Sequence, residues 1–122
     1  MMSVQMTDSE VDGVYVMALE GRIVMGAESH SLREKLKSVL AEGKKKIVLN
    51  MANLKYIDSA GLGALVAVHY SAKTQNASVR LCKLGKNVRE VLQITKLVTL
   101  FDVYDAEAAA VSSLAELLAA SS

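Results

Sequence analysis

Near the middle of the chain, Ile57-Asp58-Ser59-Ala60-Gly61-Leu62-Gly63 sets a carboxylate and a hydroxyl side by side at the foot of an apolar run, Leu62 to Ser71. The first backbone N–H groups of a helix have no intrahelical acceptor, and an oxygen from Asp58 or Ser59 at that point satisfies one of them. The same N–H groups favour negative charge, so the start of a helix suits a hydroxyl that is to carry a phosphate. By residue type alone, Ser59 is either a helix cap or a modifiable hydroxyl. Gly61 and Gly63 each weaken a helix interior by about 1 kcal/mol relative to alanine. Two such costs within one turn call for a reason, either close packing against a strand or close approach by a partner.

Phosphorylation of Ser59 would add about −1.5 to −2 charges. The helix N-terminus would favour that charge and the neighbouring Asp58 would oppose it. The modification would act on the surface offered to a partner: a bulky dianion on a flat patch of small residues removes binding by bulk and desolvation, and its removal restores the patch. A nucleophilic serine on a strand-to-helix turn is the enzymatic alternative. Against it, the glycine two residues before the serine is replaced by Ile57, and His69 lies further along the same helix.

Other constellations carry little chemistry. Gly61-Leu62-Gly63 lacks the third glycine of a dinucleotide fingerprint, which would fall at Val66. His30, His69 and Cys82 have no metal-ligand spacing. Lys44-Lys45-Lys46 reads as a solvated turn, and Met17, Met25 and Met51 as core or loop filler.

The elements that must hold Ser59 follow from periodicity. Val14–Leu19 reads as a strand, Glu20-Gly21 as a turn, and Arg22–Met25 as the start of a second short strand. His30–Glu42 reads as a helix, with Leu32, Leu36, Val39 and Leu40 on one face and Gly43 as its stop. Lys46–Asn50 suits a strand covered on both faces. The helix opened by Ser59 should run to about Lys73, with a break at Gln75-Asn76. Ser78–Lys83 is then a strand, Asn87–Ile94 a helix, and Val98–Val103 a last strand. Asp105 is placed to cap a final helix with Val111, Leu114, Ala115 and Leu118 on one face. Strand–helix alternation after residue 44 implies a parallel sheet with right-handed crossovers. Whether the helices cover one side of it or both is open.

The 122 residues are expected to form a single domain, 1–122. An apolar fraction of 52% supports a real core, and one cysteine in an apolar run points to a small core residue in a reducing compartment. With 4% aromatic residues and a net charge of +1, neither a stacking platform for nucleic acid nor long-range attraction to DNA or anionic membrane is expected. No apolar run reaches the ~18 residues of a membrane span. The early acids Asp8, Glu10 and Asp12 do not fit a secretion signal. A cytoplasmic location is expected.

Asp58-Ser59-Ala60-Gly61-Leu62-Gly63 resembles the D-S-[ST]-G-L-G motif of the anti-sigma factor antagonists, founding members of the STAS domain family. Leu19-Glu20-Gly21, the helix Leu32–Leu40, Ile47-Val48-Leu49-Asn50, Leu54-Lys55-Tyr56-Ile57 and Ile94-Thr95-Lys96-Leu97 fall at the family's spacing, so the likeness spans nearly the whole chain. The resemblance implies an α/β STAS domain with a mixed sheet of four or five strands and about four helices. It implies a bacterial, non-enzymatic regulator of transcription that binds an anti-sigma factor with serine kinase activity and frees a sigma factor. The kinase phosphorylates the position matched by Ser59, and a serine phosphatase resets it. Asp58, Ser59, Ala60, Gly61, Leu62 and Gly63 would form the partner-binding surface of a monomer or weak dimer, with no cofactor. The alternative within the family is a scaffold or accessory subunit of a stress-sensing complex or lipid transporter. Ala60 removes the motif's second hydroxyl. Gly21-Arg22-Ile23-Val24 stands where many relatives carry G-E-[LI]-D, a departure that bears on which partner is recognised.

Overall fold

The computed structural model describes residues 4–23 and 26–121, with side chains described for those outside 27, 28 and 116–121. Ten stretches of regular structure follow one another: β1 (Val4–Val11), β2 (Val14–Ile23), α1 (Ala27–Ala41), β3 (Lys46–Ile57), α2 (Ser59–Thr74), β4 (Ser78–Cys82), α3 (Lys86–Ile94), a 3₁₀ turn (Leu97–Thr99), β5 (Asp102–Tyr104) and α4 (Glu107–Ser121). The strands form one mixed sheet in the order β1-β2-β3-β4-β5. β1 runs antiparallel to β2, and every later neighbour is parallel.

Strand alternation sends alternate side chains to opposite faces of this sheet. Tyr15, Met17, Leu19, Ile47, Leu49 and Leu81 point to the larger core, where they meet Leu32, Leu36, Val39 and Leu40 of α1, Leu65, Val68 and Ala72 of α2, and Val88 and Leu92 of α3. Val14, Val16, Val48 and Cys82 point the other way, onto Ala110, Val111 and Leu114 of α4. Crossovers of constant hand between neighbouring parallel strands carry α1, α2 and α3 to one face. α4 is the C-terminal cover of the other. The Asn50 amide fastens its start by donating to the Glu107 carboxylate at 2.9 Å.

Several expectations need correction. β1, where no strand is expected from the sequence, is an edge strand of mostly polar residues with only Val4 fully buried. Asp12-Gly13 joins it to β2 with both residues at positive φ, 51° and 80°, the backbone of a two-residue hairpin turn. Glu20-Gly21 is not a turn, and Arg22 does not begin a second strand. β2 runs unbroken to Ile23 through two register shifts against β3, with Gly21 at φ 104°. Val24 and Met25 of the expected second strand lie outside the described residues. β3 passes Asn50 and continues to Ile57. Its buried residues there, Met51, Leu54 and Ile57, fall three apart because the bulges break the two-residue period.

Helix α1 starts three residues before His30, at Ala27. The expected strand Val98–Val103 divides into the 3₁₀ turn and the short β5. Asp105 does not cap α4, since Ala106 holds the position before the helix. The Asp105 carboxylate lies 3.6 Å from Arg89 instead. Ala115 is half-buried as α4 turns along the sheet, and Leu118 lies among the undescribed side chains. Cys82 is buried, and desolvation, with a smaller contribution from Glu107, pushes its thiol up to about 11. It is a core residue and a poor nucleophile.

Candidate functional site

β2 and β3 end side by side, with Ile23 paired to Ile57. The chain turns into α2 at the very next residue. The Asp58 N–H donates to the Ile23 carbonyl at 3.1 Å, which ties the turn to the end of β2. Asp58 itself is extended (φ −102°, ψ −173°), and its carboxylate accepts the Gly61 N–H at 2.9 Å. That is N-cap geometry, and it satisfies one of the free donors of the first turn. Of the two oxygens able to cap this helix, the fold uses Asp58. Ser59 is the first helical residue and is exposed, and its hydroxyl has no hydrogen-bond partner among the described residues.

The two glycines do different work. A Cβ on Gly61 would stand 2.6 Å from Ile57 Cγ1, 2.8 Å from Ile23 Cγ2 and 2.9 Å from the Ile23 carbonyl oxygen. The turn therefore lies directly on the ends of both strands, and only glycine fits. A Cβ on Gly63 would meet nothing within 4 Å. Gly63 is exposed and has no packing reason among the described residues. Leu62 is only 6% exposed and belongs to the larger core. The outer surface of the turn is thus made by Asp58, Ser59, half-buried Ala60 and Gly63, with Gly61 and Leu62 beneath it.

Two residues beside this surface escaped the sequence reading as a pair. Arg22 and Tyr56 are cross-strand partners one step before the turn. The Arg22 guanidinium lies over the Tyr56 ring, 5.5 Å from its centroid, and Tyr56 is 44% exposed. Gly21-Arg22-Ile23 is the end of β2, and it brings this cation to the edge of the turn. The signal lay in the exposed aromatic before Ile57, but only the strand register shows that Arg22 meets it.

His69 stands away from Ser59. Ten residues of helix at ~1.5 Å each separate them by roughly 15 Å. Its ring packs edge-on against Phe101, with centroids 5.4 Å apart. Burial, and secondarily Lys73, hold its pKa below the usual imidazole value. His69 is thus placed as a packing residue and not as a base for the serine. Among the described residues no group of three His, Cys, Asp or Glu side chains is arranged to hold a metal. No described helix is long and apolar enough to cross a membrane.

Residues 5–110 match the model of the STAS domain family. The chain belongs to the STAS domain family. Among related proteins, BtrV of Bordetella bronchiseptica, assigned as an anti-sigma factor antagonist, is 29% identical over 109 residues, covering 89% of this chain and 93% of BtrV. An anti-sigma factor antagonist from Mycobacterium paratuberculosis has the same fold, with a TM-score of 0.81 at 22% identity over 91% of this chain and 93% of that one. SpoIIAA of Bacillus in its phosphorylated form superposes with a TM-score of 0.71 at 18% identity, covering 90% of this chain and 99% of SpoIIAA. In this STAS domain the β3–α2 junction carries Asp58, Ser59, Ala60 and Gly63 on the surface, held from below by Gly61 and Leu62.

Proposed function

We propose that this STAS domain is an anti-sigma factor antagonist whose affinity for its partner is switched by phosphorylation of Ser59. The partner is an anti-sigma factor with serine kinase activity. Binding of the unmodified chain to it frees a sigma factor for transcription. The observation that carries this reading is the division of labour at the turn: Asp58 caps α2, so the Ser59 hydroxyl is left exposed, with no hydrogen-bond partner among the described residues. Relatives assigned as anti-sigma factor antagonists, matching along nearly their whole length, support the same role.

In the switch, the Ser59 hydroxyl oxygen attacks the γ-phosphorus of ATP held by the kinase. The bond to ADP breaks, and the hydroxyl proton leaves to a base of the kinase. A phosphatase later directs water at the same phosphorus, releasing inorganic phosphate and restoring the hydroxyl. The free N–H groups at the start of α2 stabilise the added dianion, while the Asp58 carboxylate beside it opposes it. The fold around the turn is held by Gly61 packing and needs no rearrangement. What changes is the patch of Ser59, Ala60 and Gly63, where a partner backbone that had approached closely now meets bulk and a costly desolvation. Arg22 on Tyr56 presents a cation beside this patch and selects a partner with a carboxylate there. The domain acts as a binding module and binds no cofactor of its own.

The test is to incubate the chain with a candidate anti-sigma factor kinase and ATP, map the phosphate by mass spectrometry, and measure binding calorimetrically before and after. Phosphate on Ser59 and a loss of affinity are expected. Absence of phosphate from Ser59, or unchanged affinity of the phosphorylated chain, overturns the reading.

A further inference from the structure

Helix α2 carries no Asp, Glu, Lys or Arg from Ser59 through Ala72. A surface helix ordinarily turns charged side chains to water, yet on α2 Ser59, Gly63, Tyr70 and Ser71 are exposed and Val66 and Ala67 half-buried. Between this face and α1 runs a groove of about 170 Å³ lined by Leu40, Ala67, Val68 and Ser71, with Arg33 and Lys37 on its α1 side. Arg33 and Lys37 are four residues apart, and like charges at that spacing repel along a helix. Neither has an ion-pair partner among the described residues. Other α1 charges do have partners: Lys35 lies 3.4 Å from Asp8, and His30 3.8 Å from Glu34. An uncharged apolar groove edged by two unneutralised cations is complementary to an apolar segment with acidic flanks.

We infer that the α1–α2 groove seats an amphipathic helix of the partner, its apolar face on Leu40, Ala67 and Val68 and its acidic flank against Arg33 and Lys37. A groove between two helices suits a third by the packing of side-chain ridges into grooves. Gly63 and Ala67 leave room for its backbone to come close. This rests on the partner-switch reading, because Ser59 stands at the N-terminal end of the same uncharged face of α2. A helix seated in the groove runs toward the phosphorylated turn, so an acidic occupant is repelled once Ser59 carries a dianion.

The test uses the full chain, ¹⁵N-labelled, and two synthetic helical peptides with one shared leucine face. One peptide is flanked by glutamates, the other by lysines. The acidic peptide is expected to shift the amide signals of Leu40, Ala67 and Val68 and to bind about tenfold more tightly than the basic one, about 1.4 kcal/mol. Arg33→Glu with Lys37→Glu, both at exposed positions, is expected to reverse that preference while leaving the remaining spectrum in place. Equal affinity for both peptides, or shifts centred elsewhere, overturns the groove assignment. So do groove signals that move with protein concentration alone, which would make a second copy the occupant. The two readings fail separately. Groove binding that Ser59→Asp leaves unchanged removes the switch from this groove, and a kinase that modifies Ser59 while the acidic peptide finds no groove removes the groove alone.

Discussion

The inner and outer sides of the first turn of α2 carry the same residue type for opposite reasons. Gly61 faces Ile23 and Ile57, where a methyl group would stand within 3 Å of three atoms, one of them backbone. Gly63 faces open space. On the inner side the helix-propensity cost of glycine is offset by direct contact between the helix and two strand ends. On the outer side nothing within the described chain offsets it. An unrecovered local cost at a surface position is a mark of function, because most stabilising substitutions there would otherwise be free to occur.

Substitutions at four positions break or sharpen this contrast. Gly61→Ala has the largest expected effect, since the atoms its methyl group would meet include the Ile23 carbonyl oxygen, which cannot swing aside. Overpacking of this kind costs about 1–3 kcal/mol, read as a lower urea midpoint with an unchanged slope. Asp58→Ala removes the cap on the Gly61 N–H and is expected to cost about 1 kcal/mol. Asp58→Asn, which retains a capping oxygen, should recover most of that loss. Gly63→Ala reverses the sign, raising stability by up to about 1 kcal/mol through helix propensity, while weakening binding to the anti-sigma factor measured calorimetrically. A destabilised Gly63→Ala would show that the outer glycine also packs, and the contrast would collapse. Ser59→Ala is the smallest in stability, within about 0.5 kcal/mol as for an exposed residue whose side chain has no hydrogen-bond partner among the described residues. It should abolish phosphate incorporation altogether.

The legible parts of the fold are those with a local period. The helix face of Leu32, Leu36, Val39 and Leu40 is buried as its spacing requires. The strand–helix alternation after residue 44 gives a parallel run of strands. The illegible parts depend on a neighbour. The charged β1 is a strand because β2 pairs with it, and although Asp12-Gly13 carries a hairpin signal, the apolar alternation of Val4 and Met6 gives way to Asp8, Ser9 and Glu10 before it. The far half of β3 hides behind bulges that change its burial spacing from two to three. At the site, the motif drew attention to Asp58 through Gly63 as a continuous surface, whereas helical rotation turns Leu62 inward and Gly63 outward. Arg22 came to notice as a departure from the family motif, but its place on the Tyr56 ring follows only from strand register.

By itself, the order of residues determined where α2 begins, which hydroxyl stands there, and that no second one follows it. These are local matters: free N–H donors, side-chain oxygens and helix propensity act within one turn. Tertiary structure alone decided that Asp58 and not Ser59 is the cap. It decided which glycine is compelled by packing and which is free, and that α1, α2 and α3 share one face while α4 takes the other. Those outcomes depend on which atoms meet across the sheet, and residues distant along the chain supply them.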